Sequence, residues 1–166
     1  GDDSLAMLYT DPPAPALDSM ARRLVNPYPT GLRLPGAGIV VANPAFASPA
    51  VQARFTAGHA HGTVVWSWPH AAYAAGLARQ LARTDLPSAT RARLVAAEAA
   101  VWEGIDATEA LRGTEFWTIA VEDGRYVAVP AQRSQGVGIG NERNPVQLLS
   151  AVWLGIARPR RTLPVG

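Results

Sequence analysis

The chain has 166 residues, 48% of them hydrophobic and 17% charged, so it is long and apolar enough for one domain with a buried core and lacks the composition of a disordered segment. All 15 basic residues are arginine, the formal net charge is only +2, and the one dense basic run is Arg158-Pro159-Arg160-Arg161, which argues against a nucleic-acid partner. The absence of cysteine excludes disulfides, zinc-thiolate sites and a thiol nucleophile, and no apolar run approaches the ~18 residues of a membrane span; these features suit a cytoplasmic protein without excluding an exported one.

Residues 1–58 are interrupted by Pro12, Pro13, Pro15, Pro27, Pro29, Pro35, Pro44 and Pro49, too often for long helices. Only Ala16 to Val25 reads as a short helix there, and Gly38-Ile39-Val40-Val41-Ala42 as one short buried strand. So long a loop-rich stretch is expected to be functional or to lie against something larger.

After Trp66 the pattern turns helical. Pro69 suits a first turn with Ser67 or Trp68 near the cap, and Tyr73, Leu77 and Leu81 recur at helical spacing. Asp85-Leu86-Pro87-Ser88 signals a second helix start, with Leu94, Val101, Trp102 and Ile105 on one stripe and Glu98, Glu103 and Glu109 expected on the solvated face. Thr118–Val121 and Tyr126–Val129, joined through Glu122-Asp123-Gly124-Arg125, predict a β-hairpin with an Asp-Gly turn. A Gly-rich loop at 136–140 follows, and a third helix is expected from Asn144-Pro145, carrying Leu149, Val152, Trp153 and Ile156.

The fold class expected is therefore mainly α with a β-hairpin insertion: residues 1–58 loop-rich, residues 59–166 helices plus hairpin. His59 and His61 with His70 could suggest a metal site, but no carboxylate or further ligand stands at a suitable spacing, so no metal and no cofactor are expected. The loop Gly136-Val137-Gly138-Ile139-Gly140 lacks the last glycine, the βαβ setting and the lysine of a phosphate cradle.

Glu115 stands apart from the helical glutamates. It lies in Thr114-Glu115-Phe116-Trp117, at an element end in aromatic company that would lower the local dielectric and raise its pKa; the other reading is an exposed loop glutamate. Glu142 is a second loop carboxylate, suited to stabilise the helix start beside it. Trp102 and Trp153 fit helical core stripes, whereas Trp66, Trp68 and Trp117 sit at element ends with polar neighbours. Rings so placed serve either as core or as platforms for the C–H faces of sugars.

His61-Gly62-Thr63-Val64-Val65-Trp66, leading into a helix with Ala75-Gly76-Leu77-Ala78, resembles the segment ahead of a late barrel helix in bacterial amylo-α-1,6-glucosidase (glycogen-debranching) proteins and related glucoamylase-like enzymes. Those are (α/α)6 six-hairpin glycoside hydrolases, and the resemblance covers roughly residues 25–158. It implies a partial (α/α)6 barrel and an oligo- or polysaccharide substrate with α-glucosidic bonds. Glu115 would match the general base, with Glu142 as the fallback, while Trp66 and His61 would line a sugar subsite that Trp68 and Trp117 could extend. An inverting glycosidase also needs a partner acid roughly 6.5–9.5 Å from the base, and the resemblance puts that acid in an earlier hairpin. Twelve barrel helices need on the order of 350 residues. The chain is thus expected to be the C-terminal portion of one glycosidase domain, inactive alone and partnered by an N-terminal part in the same or a separate chain. The alternative is a non-catalytic helical module that binds carbohydrate or another protein.

Overall fold

The structure, a computed structural model, describes residues 2–54, 64–111 and 116–130. More than half of these residues are helical, and the remainder includes a small antiparallel sheet. The chain is therefore mainly α, as its periodicity predicts. The third helix expected from Asn144 and the Gly-rich loop lie outside the described residues.

Four helices carry the larger core: α1 (Asp2–Tyr9), α2 (Ala14–Val25), α4 (Ser67–Leu81) and α5 (Ser88–Ala107), with a short α3 (Pro49–Gln52) between α2 and α4. Helix α4 begins at Ser67 with Trp66 as its extended N-cap residue and Pro69 in the first turn, where a missing N–H costs nothing. A connection of six residues, 82–87, links it to α5, so the two packed helices form a helical hairpin. Tyr73, Leu77, Leu94, Val101 and Ile105 are buried in the shared core as their spacing predicts, with Trp102 packed at its edge. Helix α2 lies on α5 and contributes Leu17, Ala21 and Leu24.

Helix α1 has no counterpart in the sequence pattern. Eight residues are too few for a helix to persist alone in water, and its stability comes from packing on α4. The helices meet at Gly76, where a Cβ would come within 2.8 Å of the Met7 Cβ. Met7 is fully buried there, and the Gln80 side-chain amide donates to the carbonyls of Met7 (2.6 Å) and Thr10 (2.9 Å) at the helix end. The Pro-rich first third thus finds support within the chain. Its two main helices cover α4 and α5 of the same chain, and Arg23–Asp3, Arg79–Asp11 and Arg93–Asp18 ion pairs fasten their exposed edges.

Five short strands make the second layer: β1 (Arg33–Leu34), β2 (Gly38–Ile39), β3 (Val65–Trp66), β4 (Phe116–Glu122) and β5 (Arg125–Pro130). They form a β1-β2 pair and an antiparallel β3-β4-β5 sheet, joined by a single bridge between Val40 and Val65. The β4–β5 hairpin turns at Asp123-Gly124 with Glu122 opposite Arg125, as the sequence predicts. Both turn residues have positive φ, 48° and 73°, the geometry for which an Asp-Gly pair is suited. A smaller core of Leu34, Ala37, Val40, Val65, Leu111 and Trp117 fills the space beneath the strands.

Glu103, expected merely to face solvent, does more. It is exposed but accepts from Arg33 Nε (3.1 Å) and Nη2 (2.8 Å) and from the Gly36 N–H (3.2 Å), so it ties the β1–β2 turn to α5. Close to this tie, β2 runs against α5 at glycines. A Cβ on Gly104 would meet the Gly38 Cα at 2.9 Å, and a Cβ on Gly38, whose φ is +112°, would meet His70 Nε2 at 2.5 Å.

Backbone strain and overlap thus coincide at Gly38, whereas a Cβ on Gly124, at φ +73°, would have nothing within 4 Å of it. Gly38→Ala is expected to destabilise the fold by about 3 kcal/mol and Gly124→Ala by about 1 kcal/mol. Urea unfolding of the two variants measures the difference directly.

Candidate functional site

The aromatic residues singled out in the sequence converge on the junction of β3, β4 and α4. Val65 pairs with Trp117 and Trp66 with Phe116. Successive strand residues point to opposite faces: Val65 is fully buried, and Trp66 is half-buried at the point where the strand becomes α4. Trp68, in the first turn of α4, is half-buried as well.

Trp117 has a different environment. It is 0% exposed, its Nε1–H donates to the Ala37 carbonyl at 2.8 Å, and its ring stacks on His70 with centroids 5.8 Å apart and planes 13° from parallel. Its surface is engaged inside the protein, whereas Trp66 and Trp68 keep part of theirs exposed. Glu115, Glu142, His59 and His61 lie outside the described residues. The strand that Glu115 leads into nonetheless starts at Phe116, the residue paired with Trp66.

The residue that sequence reasoning passes over is His70. Antiparallel ladders alternate hydrogen-bonded and non-bonded pairs. The Val41 N–H donates to the Val64 carbonyl at 3.1 Å, and Val40 faces Val65, so the next rung should join the Ile39 N–H to the Trp66 carbonyl. The imidazole of His70 occupies that rung instead. Its Nε2 accepts from the Ile39 N–H at 2.9 Å, and its Nδ1 lies 3.0 Å from the Trp66 carbonyl. A nitrogen that accepts a backbone N–H carries a lone pair, so the ring proton is on Nδ1 and is donated to Trp66. The ring thus replaces one direct backbone hydrogen bond by two.

Burial is complete at His70 and pushes its pKa down from 6.5 to about 4, the bond to the Trp66 carbonyl opposing the shift only in part. Protonation would also remove the lone pair that receives the Ile39 N–H. His70 is therefore a neutral, two-bonded ring rather than a metal ligand, and among the described residues no group of three or more His, Asp or Glu side chains could hold a metal. A signal for this role is present in the sequence: a histidine in the first turn of a helix, following a strand, with Gly38 and Gly104 elsewhere to make room.

Comparisons with family models, with curated proteins and with solved structures returned no match.

The pKa of His70 fixes the sign of a pH effect. Between pH 6.5 and 4 the unfolded chain binds a proton at this position that the folded chain refuses, so stability is full above pH 6.5 and falls as the pH drops toward 4. The loss is expected to reach about 3 kcal/mol. Urea titrations at pH 7 and pH 4 should show it, and the portion due to His70 should vanish in His70→Phe.

Proposed function

We propose that the chain forms part of a glycoside hydrolase acting on α-glucosidic bonds, with Glu115 as general base and Trp66 in the sugar subsite. The observation that carries this reading is the β3–β4 pairing. Trp66 and the residue after Glu115 are fifty positions apart in sequence, yet they are Cα partners in one sheet. The pairing supports the reading because Phe116 directly follows Glu115 in the sequence.

In this reading the Trp66 ring offers an apolar face to the C–H side of a glucose unit, Trp68 extends that surface, and His61 contributes a polar contact. Glu115 removes a proton from the attacking water while an acid from another hairpin protonates the leaving oxygen, as an inverting mechanism requires. Glu142 is the fallback base. The helical hairpin α4–α5 is the repeating unit of a six-hairpin (α/α)6 barrel, and the remaining hairpins are the partner this proposal requires. No metal or cofactor takes part.

One observation favours a second reading, a carbohydrate-binding module. Helices α1 and α2 close the core over α4 and α5 within this chain, which suits a unit that folds by itself. Binding of an α-glucan by the 166-residue chain without any upstream partner, with no turnover on adding one, would favour the module.

For the enzyme assembled with its remaining hairpins, Glu115→Gln is expected to lower kcat at least ~10³-fold while leaving maltoheptaose binding within about twofold of wild type. Undiminished hydrolysis would remove Glu115 from the mechanism, and a matching loss in Glu142→Gln alone would transfer the role to that residue.

A further inference from the structure

The imidazole rung has a consequence for the ligand surface. We propose that His70 is a positioning residue: by bridging the Ile39 N–H and the Trp66 carbonyl it sets where Trp66 stands at the head of α4, and so sets the aromatic contact with sugar. The part concerning sugar rests on the functional reading above; the part concerning Trp66 does not.

Trp66 is held from two sides. Its Cα pairs with Phe116 in β3–β4, and its carbonyl is bound by His70 from within α4. The ring itself is fixed by the Ile39 N–H, by the stacked face of Trp117, and by Gly38 and Gly104, at neither of which a Cβ would have free space. A planar ring held in this way has little freedom to turn. The strand that carries Ile39 is in turn anchored to α5 through the contact of Gly38 with Gly104. The place of Trp66 is thereby coupled to the helical core through a side chain rather than through continuous sheet.

A direct backbone rung would bring β2 and β3 to the ordinary ladder spacing of about 4.8 Å. The inserted ring holds that end of the ladder open while both polar groups remain satisfied. Without it, either the two strands close or the Ile39 N–H loses its buried acceptor and the Trp66 carbonyl loses one of its donors. Both outcomes displace Trp66. The ring's neighbours Gly38, Ile39, Gly104 and Trp117 are uncharged, and the carboxylates flanking Gly104, Glu103 and Asp106, are exposed; Glu103 is bound to Arg33.

The test uses the full 166-residue chain, His70→Phe, and maltoheptaose as the probe. Phenylalanine preserves a planar ring for Trp117 and removes both hydrogen bonds. Expected in the folded variant are a shifted Trp66 indole N–H resonance, assigned through Trp66→Phe, loss of exchange protection at the Ile39 amide, unchanged protection at Leu94 in α5, and about tenfold weaker maltoheptaose binding. An unchanged Trp66 resonance with Ile39 still protected overturns the proposal. Should His70→Phe not fold, acid titration of the wild type decides. Movement of the Trp66 and Ile39 signals with the His70 ring, ahead of Leu94, supports it, and movement only together with Leu94 overturns it. If no form of the chain, alone or assembled, binds maltoheptaose, the glycosidase reading fails, and the spectra still decide what His70 does.

Discussion

The architecture depends on one imidazole placed where a backbone hydrogen bond belongs. The Ile39 N–H would be costly to bury unpaired, and the Trp66 carbonyl, at the N-cap of α4, has lone pairs for more than one donor. His70 satisfies both because a neutral histidine offers one donor and one acceptor on opposite parts of a rigid ring. No other uncharged aromatic side chain offers a donor and an acceptor on separate ring atoms. The adjoining choices follow from this one. Gly38 has no side chain because the ring lies where its Cβ would be, Gly104 has none because Gly38 must approach α5, and Trp117 covers the ring's face.

The same device divides the protein into two cores while keeping them connected. Ile39 belongs to the helical core and Val40 to the core beneath the strands. At this step of the chain the sheet order passes from β1-β2 to β3-β4-β5 through the single Val40–Val65 bridge. A side-chain rung stands here in place of a direct ladder bond. It allows α4 to start immediately after β3, with no intervening loop, because the residue that closes the gap is itself in the helix's first turn.

The parts of this arrangement that can be read in the sequence are those determined by local periodicity and turn chemistry. The α4 and α5 stripes and the Asp123-Gly124 hairpin announce themselves within short windows of the chain, and they form where expected. Helix α1 escapes such a reading because its eight residues are too short to display a helical period, and it is fixed by contacts with Gly76 and Gln80, far along the chain. The first third looks unsupported in the sequence for the same reason, since its partners are distant. Trp117 can be read either as core or as a binding platform, and neither composition nor spacing distinguishes them. Only the stacking on His70 and the bond to Ala37 do. His70 reads in the sequence merely as the third histidine near a possible metal pair, because its real partners are a backbone N–H 31 residues upstream and a carbonyl one helical turn back.

These features bear on how a sugar-binding surface could be built beside a small sheet. An aromatic platform must be held rigidly enough that little conformational entropy is lost on binding, yet remain partly exposed. In the proposed reading, Trp66 combines half-burial with a constraint on its backbone. The carbonyl is bound by His70 and the Cα is in register with Phe116, which fixes the backbone that carries the indole. Trp117 shows the opposite solution, a ring locked by full burial and therefore of no use to a ligand. One strand pair thus holds its two tryptophans differently, and His70, in the first turn of α4, touches both: its ring stacks on Trp117 and bonds the Trp66 carbonyl.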